Sequence, residues 1–356
     1  MDAFLQQALR GPSRSPRPLA RLALGAALCA TLGGCKAGDD VTSTALQSLA
    51  EDEALACLTE CTERIGIVSA FGAEADILLA ETEGSERYLI NGNTFTTGTL
   101  RDNPVVIVLS GVSVVNATMI TQLMIDHFGV THLLMSGIAG GLNPDNHIGD
   151  VIVPERWSMP LEAYFSNGSD VPAPCGAAGD LSCLGLQIAE ATSTSNSDYS
   201  MTGLFMRDTH VVSERTGPEG EFKFAFEVDP TMLATVRSIA PDLQRCGEAE
   251  PTLCVATQPE LKIGGAGMSG SMFIANPAYR DYVFAAIGAE VVDMETAALG
   301  QVAHANGLPF LAFRSLSDLA GGDESAEVGA FFGSGLAESN EARVTLGFLE
   351  AWIARP

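Results

Sequence analysis

Acidic side chains stand where buried ones belong in the stretch "GAEVVDMETAALGQVAHANGLPF", Gly288 to Phe310. Glu290, Asp293 and Glu295 sit among Val, Met, Ala and Leu residues that read as core. A carboxylate is costly to bury without a partner, so acids at such a place point to chemistry. Similar placements recur along the chain. Glu74 falls just inside a helix pattern after "RIGIVSA", and Ser317 and Asp318 close the apolar run "PFLAFRSLSD". "SGVSVVNA" (110–117) and "SGIAGGL" (136–142) put Ser110, Gly111 and Gly140 at expected strand ends. Glycines there let a ligand approach the backbone, and a helix starting after Gly111 offers free N–H groups. "SGSMFIAN" (269–276) is a small-residue turn with one aromatic, Phe273, followed by Ile274.

The elements that must position these groups alternate along the chain. Strands are expected at 64–70, 104–110, 131–137, 150–155, 260–267, 289–294 and 309–318. Helices are expected at 73–83 and at 114–129, the second ending at a glycine C-cap, with a Gly-rich turn following 131–137. Continuous apolar strands alternating with helices predict an α/β fold: a central mixed, mainly parallel sheet with helices on both faces. α/β sheets of this kind build their sites at the carboxyl ends of the strands. Residues 157–208, rich in Ser, Gly, Asn, Pro and Thr, are expected to leave the core as an excursion.

The chain has 356 residues, 46% hydrophobic content and a net charge of −25. That charge argues against nucleic acid or an anionic lipid surface as a partner. Arg10, Arg14, Arg17 and Arg21 precede the apolar run "LALGAALCATLGGC", too short to span a bilayer and suited to a signal peptide over 1–34. Its "LGGC" end resembles the bacterial lipobox, which makes Cys35 the expected lipidation site. The polar, acidic run 35–63 reads as a tether, and 64–356 as the folded domain. Cys57, Cys61, Cys175, Cys183, Cys246 and Cys254 remain after export. An even set suggests disulfides, and short spacing favours Cys175–Cys183 and Cys246–Cys254, leaving Cys57–Cys61. Neither a CxxC pair nor a His–Cys cluster is present, so no metal is expected.

In their order and spacing, "IGIVSAFGAEADILL", "SGIAGGL", "SGSMFIAN", "VVDMETAA" and "RSLSDLA" resemble the nucleoside phosphorylase/nucleosidase superfamily. The nearest resemblance is to methylthioadenosine/S-adenosylhomocysteine nucleosidases. It implies that Glu74 activates the attacking water and that Asp318, beside Ser317, is the general acid toward a purine. It implies that Met294 packs on the sugar, that Glu295 takes the 2′- and 3′-hydroxyls, and that Phe273 and Ile274 flank the base. The physical chemistry agrees, because breaking an N-glycosidic bond leaves negative charge on the base, and protonating purine N7 improves the leaving group. A carboxylate also suits a vicinal diol, since it accepts two O–H bonds. Asp293 is expected to point the other way along its strand, and Asp293 and Glu290 to serve as helix N-terminal or surface acids. Phosphorylases of this superfamily hold phosphate with arginines in loops that here carry no Arg or Lys, which favours water as nucleophile. No cofactor is implied, and a homo-oligomer is expected. The expectation is an exported, lipid-anchored purine nucleosidase on the periplasmic side of the outer membrane or at the cell surface. A phosphorylase and a non-catalytic nucleoside-binding or storage lipoprotein are the alternatives.

Overall fold

The first strand shows why this chain makes a sheet covered on both faces. β1 (Glu60–Ser69) runs from polar to apolar, and its residues Ile65 to Ser69 are all buried. A strand buried on both faces needs no alternation, which is why "IGIVS" is continuous. The computed structural model describes residues 57–190, 203–322, 331 and 334–355. The expected signal peptide, Cys35 and most of the expected tether lie outside these residues. β1 itself starts inside the run expected to be tether, and its Glu60 already pairs with Phe128.

The chain continues through α1 (Gly72–Glu81), β2 (Glu83–Ile90), β3 (Asn93–Leu100), β4 (Asn103–Leu109), α2 (Val114–His127) and β5 (Phe128–Gly141). Short strands follow: β6 (Val151–Val153), β7 (Arg156–Ser158), β8 (Ala163–Phe165), β9 (Leu204–Met206), β10 (Thr209–Ser213), β11 (Gly217–Lys223) and β12 (Ala225–Glu227). The last part contains α3 (Pro230–Val236), β13 (Leu261–Ile263), β14 (Ala266–Ser269), α4 (Pro277–Ile287), β15 (Ala289–Asp293), α5 (Thr296–Asn306), β16 (Phe310–Asp318) and α6 (Leu336–Ile353).

The main path of the sheet runs β12-β7-β14-β15-β5-β1-β4-β3-β2, with β16 joining β5 to β6 and β13 beyond β6. Pairing is parallel for β1–β4, β1–β5, β5–β16, β6–β13, β14–β15 and β7–β14. The β2–β3–β4 edge and the β15–β5, β16–β6 and β12–β7 pairs are antiparallel. The sheet is therefore mixed and mainly parallel. α1, α3 and α6 form one helical group, and α2 packs with α5 in another.

Local signals explain most helix limits. Pro277 opens α4, the Asn276 side chain caps Tyr279 N, and Gly288 ends the helix in the left-handed conformation at φ 64°. α2 departs from the expected ending: its C-cap is Phe128, in extended conformation, and Gly129 is already part of β5. The expected turn after residue 137 is also strand, because β5 continues to Gly141. Its glycines serve a different purpose. A Cβ at Gly137 would collide with Arg314 Nη1 and Glu74 Oε1, and one at Gly140 would lie 2.9 Å from Asp318 Oδ1.

The excursion begins later than expected, since Trp157 is fully buried in β7 of the main sheet. Beyond it, β8 pairs with β9, and Leu181, Ile188 and Phe205 form a small core of their own. Ala189 and Met206 instead join a cluster with Met268, Ile274, Val292 and Ala320. Disulfides join Cys57 to Cys61, Cys175 to Cys183 and Cys246 to Cys254.

Candidate active site

A guanidinium organises the carboxylates. Arg314 lies within β16, every residue of which is buried, and is itself 0% exposed. An arginine at such a position must be paired. Its Nε lies 2.8 Å from Asp293 Oδ2, its Nη2 3.4 Å from Glu295 Oε2, and its Nη1 3.5 Å from Glu74 Oε1. Burial works against its charge, but Asp293, Glu74, Glu295 and Glu341 together hold it more firmly protonated than usual.

Glu74 comes from the first turn of α1. Its Oε2 accepts from Ala70 N at 2.6 Å and Phe71 N at 3.3 Å, and its Oε1 accepts from Ile138 N at 2.8 Å. Burial nonetheless pushes its pKa above the usual carboxylate range, against the pull of Arg314 and these N–H groups. A carboxyl tuned upward in this way is a better proton acceptor than an ordinary carboxylate.

Glu295 stands at the N-cap of α5, past the end of β15. Its Oε1 accepts from Ser113 N at 2.8 Å and its Oε2 from Met294 N at 3.3 Å. Burial pushes its pKa up to about 7; Arg314 pulls it down, while Asp293 and Glu74 add to the rise. Asp293 accepts from Glu295 N at 3.1 Å and Thr296 N at 3.2 Å, as a helix N-terminal acid does. Ser269 and Thr296 hydroxyls complete its shell.

Asp293 does not point away from Glu295 as expected; a two-residue period places positions 293 and 295 on the same side, so the expectation misapplied the alternation. β15 ends at Asp293, and both acids turn onto Arg314. Glu290 lies apart, accepting from Asn143 Nδ2 at 2.8 Å and Asn146 Nδ2 at 3.2 Å.

Asp318 closes β16 at the other end of the β5 glycine run. Its Oδ2 accepts from Ser317 Oγ at 3.0 Å and its Oδ1 from Ala320 N at 2.9 Å. Ser317 Oγ also reaches Ala139 O at 3.3 Å. Gly137 meets Glu74, and Gly140, three positions further along β5, meets Asp318.

The other expected residues distribute around this line. Ser110 and Gly111 follow β4, their N–H groups donating to Ser69 O and Ala70 O rather than into the site. Ile274 is buried in the wall that contains Val292 and Ala320, and Met294 is partly buried beside Glu295. Phe273 stands on the rim, 63% exposed. Sequence reasoning missed Arg314 and Ser113. A lone arginine inside an apolar strand was the available signal for the first; a serine before a helix gave none for the second. A cleft of about 820 Å³ bordered by Arg101, Glu248, Arg343 and Glu350 holds none of these carboxylates. Chemistry, not volume, marks the site.

Comparison with known proteins accords with this geometry. Residues 64–350 match the phosphorylase superfamily. A 5′-methylthioadenosine/S-adenosylhomocysteine nucleosidase of Mycobacterium bovis is 25% identical over 296 residues, 82% of this chain and 98% of the relative. That of Marinomonas sp. is 26% identical over 258 residues, 72% of this chain and 86% of the relative. The same-named enzyme of S. pneumoniae, solved with a transition-state inhibitor, superposes with TM-score 0.56 at 24% identity, covering 82% of this chain and 100% of that one. Futalosine hydrolase of Helicobacter pylori gives TM-score 0.53 at 23% identity, covering 82% and 97%. With the match spanning nearly the whole described fold, from β1 into α6, the chain belongs to the phosphorylase superfamily.

Proposed function

We propose that this protein hydrolyses the N-glycosidic bond of purine nucleosides, a 5′-methylthioadenosine-like nucleoside among them, outside the cytoplasm. The observation that carries the proposal is the gathering of Glu74 and Glu295 on Arg314 beside Gly137 of β5, with Asp318 beside Gly140 of the same strand. Water's oxygen adds to the anomeric carbon, and its proton passes to Glu74. The bond from that carbon to the purine breaks with its electron pair going to the base. A proton from Asp318 reaches purine N7, so the base leaves neutral. Glu295 accepts the 2′- and 3′-hydroxyls, and Arg314 stabilises the acids as proton and charge move. Phe273 stacks on the base, with Ile274 beside it.

Arg314 also supports water over phosphate as nucleophile. Its Nε, Nη1 and Nη2 all face carboxylates, which leaves no cationic face for a phosphate. The names of the relatives point the same way, since they are nucleosidases and a hydrolase. The expected lipid on Cys35 places the activity on the outer side of a membrane, and mass spectrometry of membrane-extracted protein should show diacylglycerol there. The test of function is product chromatography after incubating the protein with adenosine, inosine and methylthioadenosine. Free base and free sugar, released at the same rate with and without phosphate, are expected. Bound but uncleaved nucleoside would replace the enzyme with a binding protein.

A further inference from the structure

The N-cap of α2 gives up two things that a helix start ordinarily keeps. Ser113 occupies that N-cap, where a serine side chain usually accepts a first-turn N–H and stabilises the helix. Ser113 makes no such bond. Its backbone sits at φ 90°, ψ 155°, a region nearly confined to glycine and strained for a residue with a side chain. Strain of this kind persists where the surroundings enforce it, and here the surroundings are the candidate sugar site.

The strained backbone aims Ser113 N–H at Glu295 Oε1, 2.8 Å away. The hydroxyl, freed from capping, donates to Ser271 Oγ at 2.8 Å. Ser271 belongs to the loop between β14 and α4, which also carries Phe273. Glu295 is thus held from the sheet side by Arg314 and from the loop side by Ser113.

We propose that Ser113 is a positioning residue for the ribose grip. Its N–H orients Glu295, and its hydroxyl bond to Ser271 latches the loop before α2 to the loop before α4. The latch makes recognition of a vicinal 2′,3′-diol depend on both loops, so the site selects ribonucleosides over 2′-deoxyribonucleosides. This rests on the assignment of Glu295 to the sugar diol.

Ser271→Ala removes the latch while leaving the Ser113 backbone as it is. Ser113→Ala removes the same bond from the other side. Each is expected to lower kcat/KM for adenosine about fivefold, the worth of one hydrogen bond, and for 2′-deoxyadenosine less than about twofold. The double variant should lose no more than either single one. An unchanged ribose-to-deoxyribose ratio in Ser271→Ala overturns the proposal, as does a double-variant loss equal to the product of the single losses. Ser271→Ala alone decides the matter if Ser113→Ala fails to fold. If the parent binds adenosine without cleaving it, the same ratio of Kd values from calorimetry tests the latch, and only the nucleosidase proposal falls. A parent that binds neither nucleoside overturns both.

Discussion

The two ends of the candidate site are built on opposite plans. At the sugar end, one buried guanidinium draws three carboxylates together, and each carboxylate takes further N–H or hydroxyl donors. At the base end, Asp318 is held by its own neighbours Ser317 and Ala320, while Phe273 and Met272 stand exposed at 63% and 43%. Under the proposed assignment, the sugar end is set before a ligand arrives, and the base end gains its aromatic contact only with one. Preorganised charge is the arrangement that stabilises a developing cation, whereas a stacking wall can form on contact. If that contrast is right, damage at the sugar end should reach the fold, and damage at the base end should stop at the ligand.

Arg314→Met is expected to have the largest effect. It leaves three buried carboxylates facing one another, at about 3–5 kcal/mol of lost stability by urea unfolding, with no measurable cleavage. Asp318→Asn should leave stability alone and still bind nucleoside, because the amide keeps shape and hydrogen bonding. It should lower kcat by about 10²–10⁴-fold with little change in KM, since an amide gives no proton to the leaving base.

A third variant asks how far the charge strain of the sugar end extends. Glu338 lies on α6, and its pKa is raised to about 7, first by burial and also by Glu74. The folded protein holds this proton up to about pH 7, while the unfolded chain releases it near the ordinary value of 4.5. The stability it contributes is full below 4.5 and is lost as pH rises through 7. Glu295 acts in the same direction and over the same window. Parent stability should therefore fall between pH 5 and pH 8, and Glu338→Gln should remove on the order of 3 kcal/mol of that fall in unfolding titrations. Equal slopes in parent and variant would show that Glu338 does not titrate as described. The smallest effect belongs to Phe273→Ala, with a KM about tenfold higher through lost stacking and stability within about 0.5 kcal/mol of the parent.

The same contrast governs how much could be read from the sequence. Glu74, Glu295 and Asp318 stood out as acids at the ends of apolar runs, which are expensive to bury, but their expected roles came from the resemblance of the motifs around them. The mixed, mainly parallel sheet followed from uninterrupted runs such as "IGIVS" and "PVVIVL". Asp293 was misdirected because the two-residue period, which puts positions 293 and 295 on one face, was misapplied. The glycines of 137–141 passed for a turn because glycine has two uses, and only the approach of Glu74, Arg314 and Asp318 reveals which applies. The excursion past Ser158 has no period to read, although its short Cys175–Cys183 loop was visible in the spacing.

The central claim is that this constellation delivers water to a purine nucleoside, and isotopic labelling tests it most directly. Adenosine is incubated with the protein in water carrying heavy oxygen, with phosphate present, and the sugar product is trapped and weighed by mass spectrometry. The account predicts adenine together with ribose bearing the heavy oxygen at its anomeric carbon, formed by the parent and not by Glu74→Gln at a comparable rate. Ribose 1-phosphate as the product, or heavy-oxygen ribose formed equally fast by Glu74→Gln, would contradict it.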